Sequence, residues 1–230
     1  MRKLRLSYTI TIILFLAGLQ VSGQIIKGEA IAGINLSQVD GDEAYGFHKI
    51  RPNVGAGVMI PFGKKGKWDV SIETLYSLKG AYQKPQYNDT LNNGEVRTGE
   101  YKLHLNYLQI PALVLFTDKE LISVGAGFSW GRLVGIKEWE HGQRVDSTNL
   151  DNGPYNKNDF SILGDLRIRL WKALKLNLRY EYSLAKIRTR EFTNLAGDTW
   201  TRDQYNNVIT FRLIYVFNEK RSRENFLDAK

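Results

Sequence analysis

The stretch Leu174-Lys175-Leu176-Asn177-Leu178-Arg179-Tyr180-Glu181-Tyr182-Ser183-Leu184 constrains this chain more than any other. Every even-numbered residue is apolar or aromatic, and every odd one is polar or charged. A period of two belongs to a strand with one greasy face and one wet face. The wet face carries Lys175, Arg179 and Glu181, too much charge to sit against a protein core. Its eleven residues are about the length a tilted strand needs to cross a bilayer. The pattern predicts a transmembrane β-barrel with the apolar face on lipid and the charged face in the lumen.

Seven more segments read as strands, at residues 29–37, 50–62, 68–79, 101–116, 121–133, 158–170 and 204–217, and all but the fourth follow the same rule. The third sets Val70, Ile72, Tyr76 and Leu78 against Asp69, Glu73 and Lys79, and the sixth sets Ile162, Leu166, Ile168 and Leu170 against Asp165, Arg167 and Arg169. The last faces Ile209, Phe211, Leu213, Tyr215 and Phe217 to lipid and Arg212 inward. The connections alternate long, short, long, short, long, short, long. Outer-membrane barrels have an even strand count, short periplasmic turns and longer outer loops. A soluble sandwich has no reason to sort its loops this way. The predicted fold is therefore all-β, an eight-stranded antiparallel transmembrane barrel; a soluble lipocalin-like barrel would need the opposite facing. Aromatic residues at strand ends (Phe62, Trp68, Phe116, Trp171 and Phe217 by the short turns; Tyr76, Trp130, Phe160, Tyr182 and Tyr205 by the long loops) suit two headgroup belts.

Residues 1–23 read as a secretory signal, with Arg2, Lys3 and Arg5 ahead of an apolar run over 6–19 and the small residues Ser22 and Gly23 at its end. That run is shorter than the ~20 residues a spanning helix needs. The barrel would then occupy 24–217, and 218–230 would form a charged periplasmic tail. The chain contains no cysteine, which excludes disulfides, a lipoprotein anchor and thiolate chemistry. Its formal charge of +8 falls to +5 without the three basic leader residues, and no clustered basic stripe points to nucleic acid.

The fourth segment breaks the pattern. Lys102, His104 and Asn106 alternate on one face, yet beyond Tyr107 that face reads Leu108, Ile110, Ala112, Val114 and Phe116. A β-bulge near Tyr107 would explain a phase change and ease Pro111, which removes a ladder donor.

Several short stretches carry a resemblance. They are Gly33-Ile34-Asn35-Leu36-Ser37, Glu73-Thr74-Leu75-Tyr76-Ser77-Leu78-Lys79-Gly80, Tyr107-Leu108-Gln109-Ile110-Pro111, Tyr180-Glu181-Tyr182-Ser183-Leu184 and the closing 211–217. Over roughly 28–217 the chain resembles the PorT-like outer-membrane β-barrel proteins of Bacteroidota, also called porin family proteins. That family usually carries glutamate where Gln109 stands. The resemblance implies the barrel and an outer-membrane location in a diderm bacterium, and says little about activity.

An eight-stranded interior is only wide enough for side chains to fill it. Asp69, Glu73, Lys79, Asp165, Arg167, Arg169, Lys175, Arg179, Glu181 and Arg212 are therefore expected to pair into a plug, because single buried charges are costly. The function predicted is structural or adhesive, with Tyr45, Tyr82, Trp139 and Trp200 in long loops facing an extracellular protein or glycan and lipid around the wall. A narrow passive porin and a lipid-modifying enzyme are the alternatives. For the latter, His48, His104 and His141 are scattered, and no G-x-S-x-G or H-E-x-x-H occurs. No cofactor or metal is expected: Asp40-Gly41-Asp42 and Asp151-Asn152-Gly153 miss the EF-hand spacing.

Overall fold

The computed structural model describes residues 25–44, 46–63, 66–90, 94, 96–151, 153–193 and 198–228. The signal segment 1–23, Tyr45 and the turn lysines Lys64 and Lys65 lie outside the described residues.

The elements run β1 (Lys27–Asp40), β2 (Lys49–Phe62), β3 (Trp68–Gln83), β4 (Asp89–Thr90), β5 (Val96–Arg97), β6 (Tyr101–Asp118), β7 (Ile122–Glu140), β8 (Gln143–Arg144), β9 (Asn158–Trp171), β10 (Leu174–Ser183), β11 (Arg188–Thr193), β12 (Thr199–Phe217) and α1 (Glu219–Asp228). The eight long strands pair antiparallel in the order β1-β2-β3-β6-β7-β9-β10-β12, and β12 returns to β1. That closing seam runs from Gly28↔Phe217 to Asp40↔Tyr205, so neither terminal strand keeps a free edge.

Side chains point as the alternation predicts. Ile168, Leu176 and Leu178 are 37%, 39% and 40% exposed on the outer wall, whereas Arg167 and Glu181 are 1% and 4% exposed inside. An apolar exterior around a buried charged interior is the arrangement of a barrel solvated by lipid. Phe62, Trp68 and Phe116 form a run of rings at the short-turn end, with centroids 6.1 and 5.0 Å apart. Tyr182 and Tyr205 stack at 6.3 Å toward the long loops.

The strands outrun the bilayer. β7 and β12 hold 19 residues each, nearly twice the roughly ten that a tilted strand needs to span. The surplus lies at the long-loop end, where wall polarity inverts. On β6, Tyr101, Leu103, Leu105 and Tyr107 point inward and are buried, while Lys102, His104 and Asn106 point outward. The expected phase change in β6 therefore does not occur. Its odd residues face inward throughout; what changes is the solvent outside, from lipid to water. The register does shift beside Tyr107, but the extra residue is Val134 of β7, since Asn106 pairs with Gly135 and Tyr107 with Leu133. Pro111 sits where the β3–β6 ladder is interrupted, between Ile72↔Ala112 and Leu75↔Gln109.

Several stretches read as loop are instead strand, among them 38–40 of β1 and 80–83 of β3. Lys137–Glu140 continues β7, and Arg188–Thr193 pairs as β11 with the start of β12 at 199–204. The charged tail folds into α1, whose Ser222 hydroxyl donates to the Ile25 carbonyl.

Candidate functional site

The lumen is filled by apolar and charged side chains together. In the short-turn half, Ile31, Met59, Leu75, Leu115, Ile214 and Val216 form a small apolar cluster interleaved with charged residues, Leu75 following Glu73 on the inner face of β3 and Ile31 following Glu29 on that of β1. At the long-loop end, Val39, Ala81, Leu103, Leu105, Tyr107, Leu133 and Ile136 pack together, with Ala44, Tyr155 and Ile187 folded in from the rim. Charged side chains fill the rest of the short-turn half and the middle of the lumen.

Glu73 on β3 is the hub. Its Oε1 accepts from Arg179 Nη2 at 2.8 Å and Arg167 Nη2 at 2.9 Å, and its Oε2 from Arg179 Nη1 and Arg212 Nη1, both at 2.9 Å. Asp165 meets the same three guanidiniums, through Arg167 Nε at 2.8 Å, Arg179 Nε at 2.7 Å and Arg212 Nη2 at 3.3 Å. Arg167 also bonds Glu29, whose other oxygen accepts from Ser71 at 3.0 Å. Three cations thus face three carboxylates, the pairing that buried charge requires. The adjoining inner face of β7 is small, with Gly125 opposite Asp165, which leaves room for the three guanidiniums.

A second cluster lies toward the long loops. Lys79 bonds Glu181 and lies 3.5 Å from Asp159. Two carboxylates share one ammonium here, and neutral donors supply the rest. Gln109 Nε2 donates to Glu181 at 2.8 Å, Asn206 Nδ2 to Asp159 at 2.8 Å, and Ser183 Oγ to Asp159 at 2.7 Å. A glutamate at position 109 would add a third acid to this pocket.

Asp69, Arg169 and Lys175 lie at the short-turn mouth rather than in the central network. Lys27 pairs with Asp69 at 2.7 Å. Glu219 at the start of α1 accepts from Arg169 at 2.7 and 2.9 Å and from Lys175 at 2.9 Å. Burial alone would raise the Glu219 carboxyl, but Arg169 and Lys175 hold it down at about 2. Phe226 of α1 meanwhile reaches the turn at Gly66. The helix thereby lies across the mouth and roofs a cavity of about 870 Å³.

Of the ten charged residues expected in the lumen, seven join the central clusters and three guard the mouth. Glu29 and Asp159 were missed because each sits at or near a strand end, where too few alternating neighbours reveal its facing. The expected loop aromatics prove to be wall residues. Tyr82 is in β3, Trp139 in β7 and Trp200 in β12. Trp200 stacks on Phe192 across the β11–β12 hairpin at 6.0 Å, and Trp139 packs on His104 at 4.9 Å. His141 Nδ1 accepts from the Gly99 amide at 3.1 Å in the turn after β7, far along the chain from His48 beside Gly46.

The family model described as outer membrane protein beta-barrel domain matches residues 29–188. Among solved structures, the chain is similar to Ail, the attachment invasion locus protein of Yersinia pestis, at 14% identity over 83% of this chain and 98% of that one, with a TM-score of 0.47. It is also similar to a major outer membrane protein from Thermus thermophilus, at 11% identity over 84% and 99%, TM-score 0.43. OprG from Pseudomonas aeruginosa shares 13% identity over 83% and 94%, TM-score 0.35. No curated protein matches the sequence. With the family model spanning most of the chain and eight strands closed into one ring, this chain belongs to the outer-membrane β-barrel domain family.

Proposed function

We propose that this protein is a non-conducting barrel of the PorT-like group, set in the outer membrane of a diderm bacterium of the Bacteroidota type, with a structural or adhesive role. One observation carries the reading. Glu73, Asp165, Arg167, Arg179 and Arg212 cross-link four strands through the barrel axis and are buried, with an apolar cluster between them and the long-loop end. Ions or solutes would have to part paired charges to pass. Residues 1–23 serve as the export signal, the short turns and α1 face the periplasm, and the long-loop end faces outward.

The outer rim then offers the binding surface. It is a stiff wall of strand extensions, closed by the β11–β12 hairpin with its Phe192–Trp200 stack. Aromatic rings on rigid strands suit an extracellular protein or glycan better than mobile loops do. Reconstitution into planar bilayers tests the sealed lumen: the protein inserts without conductance, and discrete open-channel steps would turn the reading toward a narrow porin. A lipid-modifying role would predict altered lipid profiles in His104→Ala or His141→Ala strains; the separate packing of those two rings supports unchanged profiles.

A further inference from the structure

Just above the apolar band, the outer wall carries a cluster of cations that the sealed lumen does not use. We propose that the outward cleft between the start of β2, β6 and β7, lined by Arg51, His104, Asn106, Lys137 and, from β8, Arg144, holds the phosphate of a lipid headgroup in the leaflet at the long-loop end. Placing that leaflet outermost rests on the orientation proposed above; the site itself does not.

The cleft is built by a local irregularity. The β2–β3 ladder ends at Asn53↔Ser77, so the end of β2 splays away. Gly80 follows on β3 with φ +143°, and a Cβ there would lie 2.0 Å from the Leu103 carbonyl oxygen. Only glycine fits, and it leaves the outer face of β3 bare. Arg51 crosses this gap, donating to the Lys79 carbonyl at 3.3 Å and to Asn106 Oδ1 at 3.0 Å. On the far side, the β7–β9 connection brings Arg144 and Leu150 to the edge of a cavity of about 320 Å³.

Charge singles the cleft out. None of its lining residues is acidic. Among the described residues, Lys49, Arg51, Lys102 and Lys137 form no ion pair, and all four lie close enough to His104 to act on its charge. The Lys49 and Lys102 amines lie 5.8 and 5.7 Å over the rings of Tyr82 and Trp139, so their partners are π faces rather than carboxylates. Arg144 has one exposed acidic neighbour, Asp146, at 3.7 Å. Like charges held together repel, and an anion among them offsets that cost. Elsewhere in this protein buried and half-buried cations are paired with care, which makes this exception informative.

Depth identifies the anion. Tyr76 and Leu108 pair on the lipid-facing wall, and His104 and Lys102 pair with Gly80 and Tyr82 further along the same two strands. Four residues of tilted strand rise about 10 Å, which places the cleft beside headgroups rather than acyl chains. Lipid phosphates lie at that depth, and basic pockets on membrane proteins take them.

The test titrates phosphatidic acid against phosphatidylcholine on the purified full chain in a zwitterionic detergent and counts retained lipid by native mass spectrometry. The parent retains one phosphatidic acid in preference to phosphatidylcholine. Lys137→Gln, at an exposed position that folding does not need, weakens retention about fivefold, roughly 1 kcal/mol per cation, and Arg51→Gln/Lys137→Gln weakens it further. Lys172→Gln/Lys220→Gln, at the opposite end, leaves it unchanged. Equal retention of the two lipids, full retention in Lys137→Gln, or complete displacement by equimolar inorganic phosphate or a soluble polyanionic glycan would overturn the proposal. Because lipid is supplied without leaflets, the result is independent of orientation and of whether the lumen conducts.

Discussion

Glu73 is the residue on which the interior depends. Five guanidinium nitrogens from three strands end on its two oxygens, and the carboxylate and its three arginines are essentially without solvent. Removing one partner of such a set costs far more than the set contributes, because the remaining charges stay buried. Glu73→Gln is expected to destabilise the barrel by about 3–5 kcal/mol, read as a lower urea midpoint for folding into detergent micelles; a midpoint equal to the parent's would show that the arginines find other partners. Asp42 offers a pH test in the β1–β2 loop, outside the membrane. Burial lifts its carboxyl to about 7, against the lowering effect of the Ala44 amide, which donates to it at 2.8 Å. A raised acid is bound to its proton in the fold and loses it in the open loop. Its contribution is therefore intact below about pH 4, falls as pH rises toward 7, and stays low above that. The hydrogen-exchange protection factor of the Ala44 amide should decline across that window, and Asp42→Asn should abolish the decline. Protection that grows from pH 4 to 7 would contradict the assignment.

At the scale of elements, β6 shows how a single strand can serve two solvents without changing phase. Leu108 to Phe116 meets lipid with its apolar side, and Tyr101 to Tyr107 meets water with the same side made polar. From sequence this looks like a slip in register, because the alternation rule assumes one exterior. The slip that does exist, at Val134, was visible only as fading alternation before Ile136 and Glu138 turn inward. Helix α1 is the other element whose place was hidden. Its charges suggested a solvated tail, yet Glu219 joins it to Arg169 and Lys175 across the barrel mouth. That carboxyl is depressed to about 2. It therefore contributes docking stability above about pH 4.5, and loses it as pH falls toward 2. Protease sensitivity of 219–228 should rise over that range in the parent, while Glu219→Gln should be sensitive already at pH 7; resistance of the variant at neutral pH would mean that Ser222 and Phe226 hold the helix unaided.

For the molecule as a whole, ring order, strand count and facing were legible because lipid outside and packed charge inside impose one rule on eight segments. Arg167, Arg179 and Arg212 could be assigned inward on that rule alone. Their partners could not, since Glu29 meets Arg167 across 138 residues of chain and only barrel closure brings them together. The rim was least legible. Trp139 and Trp200 looked like loop residues because strand extensions above the bilayer obey globular patterning, not membrane patterning. All of this depends on which side of the wall each side chain occupies, and the absence of native cysteine allows a direct test. Leu178→Cys and Ser77→Cys place one label on each face of the wall, the first 40% exposed and the second fully buried beside Asn35. In liposomes, bimane at position 178 should be quenched by brominated acyl chains and ignored by aqueous iodide, while the thiol at 77 should resist a water-soluble maleimide until the barrel unfolds. Iodide quenching at 178 without quenching by bromolipid, or prompt labelling at 77 in the folded protein, would contradict it.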